Sequence, residues 1–220
     1  MGNKFFFGLL SLLIIGVLFV SSCESEESLA KYENPNQSDT SGNNILVDLF
    51  VSAEIENVPY TLANGVNDYS NWTISEQEGF CATDPNHFVQ SHVTSFILPN
   101  YLENAIYIDI RGCVNNDSVT NTNRIDSVLV VGLYEYYPKV KNNRSAIVKY
   151  IDSDSVLWST SFGGNESSFS RFELSAVIDN DFDSYSQKIA FGKFEGYLYD
   201  GKGDSLKVRA GNFKGRIVQN

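Results

Sequence analysis

The chain has 220 residues and carries a formal net charge of −11 at pH 7. A protein this acidic repels phosphate backbones, which excludes nucleic acid as an expected partner. Aromatic residues make up 13% of the chain, with 12 Tyr and 15 Phe against a single Met, and such residues favour the pleated, half-buried surfaces of β-sheets. The length suits one folded domain after a short leader.

Residues 1–22 have the three parts of an export signal. Lys4 supplies the positive charge, Phe5 to Val20 form an apolar run, and two Ser residues precede a Cys. The run is shorter than the roughly 20 apolar residues that a transmembrane helix needs, so a cleaved signal peptide is favoured over a membrane-spanning anchor.

The end of this leader assigns a role to Cys23. The order Val20-Ser21-Ser22-Cys23 resembles the lipobox of bacterial lipoproteins. The resemblance implies that the leader is cut before Cys23, that its thiol carries diacylglycerol, and that the new amine is acylated, for example with palmitate. Several acyl chains hold a protein firmly to a membrane, since each buried methylene contributes ~0.8 kcal/mol. The alternative is a chance Cys behind an ordinary secretory signal.

The residues after Cys23 predict where the anchored protein is displayed. Glu24-Ser25-Glu26-Glu27 resembles the surface-export signal of Bacteroidota-type lipoproteins, which implies an outer-membrane protein at the cell surface. The alternative is an ordinary solvated acidic tether on the periplasmic face. Residues 28–44 are polar and hold few bulky apolar side chains, so residues 23–44 are predicted to be a flexible tether before a domain at residues 45–220.

From residue 45 onward the hydrophobic pattern has a period of two, and no window of 12 residues carries a helical stripe. Turn signals such as Asn64-Gly65 and Asp200-Gly201 separate the runs. Strands are predicted at residues 47–55, 89–98, 106–111, 127–136, 145–151, 156–161, 172–178, 189–199 and 206–217. Nine or ten such strands predict an all-β fold, a single antiparallel β-sandwich, with a barrel as the less favoured alternative. The last 30 residues are predicted to form a hairpin with a bulge at Gly211.

Two further stretches carry a family resemblance. Residues 53–60, Ala-Glu-Ile-Glu-Asn-Val-Pro-Tyr, resemble the opening strand and turn of uncharacterised Bacteroidota-type lipoproteins with compact β domains. Residues 192–198 with 210–217 resemble their closing strand pair. Asn57 and Val58 depart from the usual Gly-containing turn. The resemblance implies an address and a fold, and it carries no catalytic motif.

Once Cys23 is assigned to lipid, Cys81 and Cys113 remain as an even pair in an oxidising compartment. They are predicted to form a disulfide, with two buried free thiols as the alternative. The CxxC spacing of a zinc site is absent from the sequence.

No sequence motif predicts catalysis. His87 and His92 are five residues apart, which would point them to opposite faces of a strand, and no G-x-S-x-G elbow is present. Both His are therefore predicted to be loop or surface residues. The chain is not expected to be an enzyme, and no cofactor is expected.

Two patterns predict weaker sites. Asp179, Asp181 and Asp183 have the spacing of a calcium loop, but Ser184 and Ala190 replace its turn Gly and its bidentate Glu, so a weak Ca²⁺ site competes with a solvated turn. Four Asp-Ser-aliphatic triplets resemble the O-glycosylation site of Bacteroidota-type exported proteins, although Asp-Ser also ends turns. The Ser residues concerned are Ser118, Ser127, Ser155 and Ser205.

The aromatic residues leave two functions open. A non-catalytic binding or structural module, anchored by lipid at the outer membrane, is the first expectation. The alternative is a surface component that handles glycans, as a carbohydrate binder or a weak hydrolase. Exposed Trp or Tyr beside a groove would favour sugar binding, and a carboxylate pair about 5–9 Å apart in a cleft would favour hydrolysis. The candidate stacking residues are Trp72, Trp158, Tyr134, Tyr136 and Tyr137.

Overall fold

The computed structural model describes residues 49–81, 84–99, 101–115, 121–138, 143–163, 168–179 and 187–218. The predicted signal peptide, the tether with Cys23, and Ser118, Asp181 and Asp183 lie outside these residues. Within the described ranges, no helix has the length and apolar character needed to cross a membrane.

Eleven strands, one α-helix and one short 3-10 helix make up the described chain. In chain order the elements are β1 (Phe50–Ile55), β2 (Val58–Ala63), β3 (Ser70–Cys81), β4 (Asp84–Leu98), β5 (Tyr101–Asn115), α1 (Asn121–Val128), β6 (Gly132–Tyr136), β7 (Arg144–Ile151), β8 (Leu157–Ser159), the 3-10 helix (Thr160–Phe162), β9 (Arg171–Asp179), β10 (Gln187–Tyr199) and β11 (Ser205–Val218).

The strands pair into one sheet in the order β2-β1-β11-β10-β9-β6-β7-β5-β4-β3. The short strand β8 pairs with both β7 and β10, so that β10, β9, β6, β7 and β8 close into a ring of five strands. Among the pairings of the described strands, only that of β6 with β7 is parallel. Two edges therefore remain within this part of the chain, at β2 and at β3.

One face of these strands forms the hydrophobic core. In β5, Ile106, Ile108 and Ile110 alternate with polar residues and are at most 2% exposed. Phe172 and Phe213 pack ring to ring with centroids 5.8 Å apart. Burying a side chain of this size contributes about 1.5–3 kcal/mol, so the core supplies the main driving force for folding.

The two ends of the curled sheet come together at β3, β4 and β11. The backbone N–H of Arg216 donates to Asn71 Oδ1 at 3.2 Å, and Asn71 Nδ2 donates to Thr94 Oγ1 at 2.8 Å. A Cβ atom added at Gly215 would lie 2.6 Å from Thr94 Oγ1, so this position needs glycine for the close approach. Asn71 thus binds the backbone of β11 beyond Lys214, the last residue of β11 with a described partner in β1.

The all-β prediction is confirmed, and so is the closing hairpin, formed by β10 and β11. The irregularity in that hairpin falls at Ala210, with φ 48°, one residue before the predicted Gly211. Strands β2 and β3 were not predicted, because their alternating residues are mostly polar or exposed. The finer prediction of a two-sheet sandwich stays a prediction.

The predicted strand at residues 127–136 is wrong in its first half, where a short helix ends and a loop leads to the strand. Residues Asn121–Val128 form helix α1, and the strand begins at Gly132. Ile125, Val128 and Leu129 are at most 5% exposed, and their i, i+3, i+4 spacing buries one helical face. The helix has only eight residues, so its apolar stripe is shorter than 12 residues. Its apolar C-terminal end is followed directly by a sequence with the pattern of a strand, which hides the boundary between the two.

Candidate functional site

A cavity of about 220 Å³ opens on the outer face of β3, β4, β5 and β7, opposite the core. Charged, aromatic and small residues line it together. The lining residues are Glu78, Phe80, Val89, Arg111, Gly112, Cys113, Tyr137, Asn143 and Ser145.

Strand alternation brings the polar lining together. In β5, Asp109 and Arg111 point away from the face that carries the core isoleucines. In register, Arg111 lies opposite Ser91 of β4 on one side and Ser145 of β7 on the other. The next strand out, β3, places Glu78 opposite Val89, on the same face.

These side chains form one hydrogen-bonded network centred on Arg111. Its Nε donates to Asp109 Oδ2 at 2.8 Å, and its Nη2 donates to both Glu78 oxygens at 2.7 and 2.6 Å. The second oxygen of Asp109 accepts from the hydroxyl of Ser91. Asp109 is only 1% exposed, so this carboxylate is a buried charge with two partners.

The network keeps Arg111 charged. Burial by itself lowers the pKa of the Arg111 guanidinium, but the charge and hydrogen bond of Asp109 and the charge of Glu78 outweigh it and raise that pKa. Two carboxylates around one guanidinium leave the cluster with a net charge of about −1. The cluster is therefore a poor site for an anion.

Aromatic rings complete the cavity. The guanidinium carbon of Arg111 lies 5.2 Å from the centre of the Tyr137 ring, in a cation–π contact. Tyr137 is 40% exposed and Phe80 is 72% exposed. Both rings offer apolar surface to a ligand above the polar floor.

The Cys81–Cys113 pair fixes one wall of the cavity. As predicted, these two residues lie at disulfide distance, with Cα atoms 5.9 Å apart. The register of β3 against β4 shifts on both sides of Phe80, and Gly79 has a φ of 48°. The end of β3 thus bends across β4 to reach β5, and it carries Phe80 to the rim.

The prediction that both His are loop or surface residues is wrong. His87 and His92 both belong to β4, and His92 is 0% exposed on its inner face. Neither ring nitrogen of His92 has a hydrogen-bond partner within the described residues. Desolvation lowers the pKa of His92 to about 4, so the ring is neutral at physiological pH.

Where the structure describes them, the predicted calcium and glycosylation residues do not line the cavity. Asp179 of the calcium candidate lies at the end of β9 and pairs with Lys188 Nζ at 2.5 Å. In the described part of the chain, no three His, Cys, Asp or Glu side chains come together in a way that could hold a metal ion. Of the Asp-Ser triplets, Ser127 lies on α1, Ser155 in a turn and Ser205 at the start of β11, all exposed. Their glycosylation stays a prediction.

The aromatic candidates also divide. Tyr134 and Tyr136 are each 5% exposed and belong to the core, whereas Tyr137 lines the cavity. Trp158 donates from Nε1 to Asp152 Oδ2 at 2.7 Å, and Trp72 is 57% exposed on β3. Of the five predicted stacking residues, the structure thus brings Tyr137 to the cavity.

The sequence interpretation missed Glu78, Asp109 and Arg111, which form the floor of the site. The alternation of Asp109 and Arg111 with isoleucines was visible, but such residues usually face solvent. The usable signal was the opposite charge at i and i+2, which places both groups side by side on one face of a strand. Glu78 could not be found, because β3 was not predicted.

Comparison with known proteins adds no assignment. No family model, no curated protein and no solved structure matches this chain. The function of the cavity therefore has to follow from its own chemistry.

Proposed function

We propose that this protein is a non-catalytic binding module, held at the outer membrane by lipid on Cys23 and displayed at the cell surface. The cavity on the outer face of β3–β5 is its binding site. The observation that carries the proposal is the Arg111 cluster, in which a charged floor, already ordered before any ligand arrives, lies beneath two exposed rings. A preordered floor lowers the entropy cost of binding.

The engagement of the two carboxylates supports binding over hydrolysis. Both oxygens of Glu78 accept from Arg111, and both oxygens of Asp109 accept from Arg111 or Ser91. A general acid or nucleophile needs a carboxylate oxygen that faces the substrate. Asp109, at 1% exposed, offers none to the solvent, and Glu78, with a side chain 39% exposed, is held as a carboxylate acceptor by Arg111.

A carbohydrate binder is the second candidate, favoured by Tyr137 and Phe80 at the cavity. A sugar ring presents C–H groups that stack on an aromatic face and hydroxyls that hydrogen-bond to charged planar groups. The net negative charge of the cluster favours a neutral sugar over an acidic one. Hydrogen-bond acceptors of the ligand would meet Arg111, and its hydroxyl donors would meet Glu78.

We propose that β3–β4–β5 and β1–β11–β10 face each other as the two layers of a sandwich, supported by the contact of Gly215 with Thr94. The cavity then lies on the outside of one layer, where a ligand reaches it from solvent.

A glycan array probed with the full lipidated chain in detergent tests the binding site. The hits are then titrated against Tyr137→Ala and Phe80→Ala, with Phe162→Ala as the control. Phe162 is an exposed ring, 47% accessible, outside the cavity lining. We expect each cavity variant to weaken binding about fivefold or more, since loss of an aromatic stacking ring costs roughly 1–3 kcal/mol in the binding of nucleobases. Equal affinity of all four proteins would remove the cavity from the proposal.

A separate measurement tests the anchor. Cys23→Ala is expected to abolish labelling by radioactive palmitate and to release the protein from the membrane fraction. Protease added to intact cells distinguishes the surface from the periplasmic face. Unchanged membrane association of Cys23→Ala would contradict lipid anchoring, and it would leave the cavity untouched.

A further inference from the structure

Within the described residues, no strand forms a backbone hydrogen-bond ladder along the outer edge of β3, and β11 approaches that edge at Asn71. β3 is the last strand of the sheet order, and in the residues described it pairs only with β4. Every second residue of such a strand therefore directs its backbone N–H and C=O away from the sheet. These groups are available to an added strand.

The open stretch has defined ends. At its start, Asn71 is held by β11 through the hydrogen bond from Arg216 N–H to Asn71 Oδ1. At its end, Gly79, with a φ of 48°, begins the bend that leads to the disulfide. Between them, residues 72–78 run in regular register with β4, from Trp72 opposite Ser95 to Glu78 opposite Val89.

The side chains along this stretch are unusual for a solvated edge. Trp72 is 57% exposed and Ile74 is 48% exposed, and they share one face with exposed Glu76. Natural edges are commonly protected by Lys, by Pro or by inward charges, and this stretch has neither Lys nor Pro. It is apolar at one end and acidic at the other.

We propose that the β3 edge, residues 72–78, binds an extended, basic segment of a partner protein by adding it to the sheet as a further strand. Backbone hydrogen bonds supply the attachment, and side-chain pairing supplies the selectivity. A basic residue of the partner lies opposite Glu76, and an apolar residue lies opposite Ile74.

The charge pattern disfavours a second copy of this chain as the occupant. If two β3 edges paired antiparallel about Ser75, Ile74 would lie opposite Glu76 of the other copy. The two Glu76 side chains would then be diagonal neighbours, close enough to repel. The net charge of −11 on each chain adds to that repulsion. The same charges attract a basic strand.

A palindromic peptide makes the test independent of strand direction. The probe is Thr-Val-Thr-Lys-Thr-Val-Thr, capped at both ends and labelled with fluorescein, and its binding to the full chain in detergent is followed by anisotropy. A second probe carries Glu in place of Lys. The variant is Glu76→Lys, and the matched control is Glu135→Lys, an exposed position on β6 with the same change in charge.

We expect the wild type and Glu135→Lys to prefer the Lys probe and Glu76→Lys to prefer the Glu probe. The expected preference is about fivefold in each direction, the size of one cross-strand charge pair. Absence of binding up to the solubility limit of the peptide overturns the proposal. Equal preference in Glu76→Lys and Glu135→Lys overturns it as well, because the attraction would then be a general effect of charge.

Backbone methylation separates strand pairing from side-chain contact. Two further Lys probes carry N-methyl groups on the odd-numbered or the even-numbered residues. Added strands use only alternate amides, so one probe should keep its affinity and the other should lose it. Equal behaviour of the two probes overturns strand addition. Tyr137→Ala, which tests the cavity, is expected to leave all peptide affinities unchanged. The proposal for the cavity and the proposal for the β3 edge are therefore tested independently.

Discussion

At its centre, strand β5 is buried on both faces, and the two faces are chemically opposite. Ile108 and Ile110, on the inner face, are 0% exposed, and Asp109, between them on the outer face, is 1% exposed. The inner face is stabilised by removal of apolar surface from water. The outer face instead buries a charge, and it does so at low cost only because Ser91 and Arg111 replace the water that Asp109 has lost.

The inner face therefore contributes mainly to stability, whereas the outer face is suited to binding a ligand. Apolar contacts on the inner face are non-directional, and they tolerate small changes of shape. The outer network needs each partner in place, because a buried carboxylate without its guanidinium is strongly unfavourable. A binding site gains from such a network, since its donors and acceptors stay in fixed positions.

The largest expected effect comes from breaking the outer network. Arg111→Ala leaves the Asp109 carboxylate, which is 1% exposed, without its guanidinium and with the Ser91 hydroxyl as its remaining described partner. We expect a loss of about 3–5 kcal/mol in the free energy of unfolding, measured by urea denaturation. The control is Glu173→Ala, which removes the partner of Arg171 in a pair whose side chains are 56% and 32% exposed, and it should cost at most about 1 kcal/mol. Equal losses would show that the outer face is solvated.

The disulfide is the next largest contribution. Cys81 and Cys113 are separated by 32 residues, and the chain-entropy model assigns ~3–4 kcal/mol to a bridge over such a loop. The double variant Cys81→Ser/Cys113→Ser should lose about this much, and it should also weaken ligand binding because the bend of β3 carries Phe80. Reduction with dithiothreitol provides the same measurement without mutation. Unchanged binding after reduction would show that the bridge does not shape the cavity.

How far the sequence predicts this molecule depends on which face a residue serves. The period of two in Ile106, Ile108 and Ile110 was enough to predict β5, because burial on one side imposes alternation. The pairing of Cys81 with Cys113 followed from parity once Cys23 was set aside. The cavity could not be predicted, since Glu78 and Arg111 meet only through the order β5-β4-β3, a property of tertiary pairing. The burial of His92 was equally invisible, because an imidazole in a strand usually marks the solvent side.

His92 is a titratable side chain among the apolar residues of the inner face. Its burial should therefore make the free energy of unfolding depend on pH. Its folded pKa of about 4 lies below the ordinary value of 6.5, so the unfolded chain binds the proton more tightly. Stability should therefore fall as pH falls from 6.5 to about 4, by about 3 kcal/mol in all. Its neighbours in register, Ser75 and Ile110, carry no charge that could compensate.

The variant His92→Leu tests this assignment. Urea denaturation at pH 7 and at pH 4.5 should show a smaller loss on acidification for the variant than for the wild type. At pH 7 the variant should be as stable or more stable, because an apolar side chain replaces a polar ring that has no hydrogen-bond partner in the described part of the chain. An unchanged pH dependence in His92→Leu would assign the acid sensitivity to other groups.

The smallest expected effect gives the finest comparison of the two faces. Ile147 lies opposite Asp109 on the outer face and is 3% exposed, whereas Ile108 lies on the inner face at 0%. Ile→Val at either position removes one methylene and should cost about 0.5–1.5 kcal/mol if the surroundings are close-packed. We expect the two variants to lose the same amount in urea denaturation, because the burial is nearly equal. A full cost for Ile108→Val beside none for Ile147→Val would show that only the inner face is packed as a core. In that case the outer face is held by the Arg111 network alone, and Arg111→Ala should open it without unfolding the sheet.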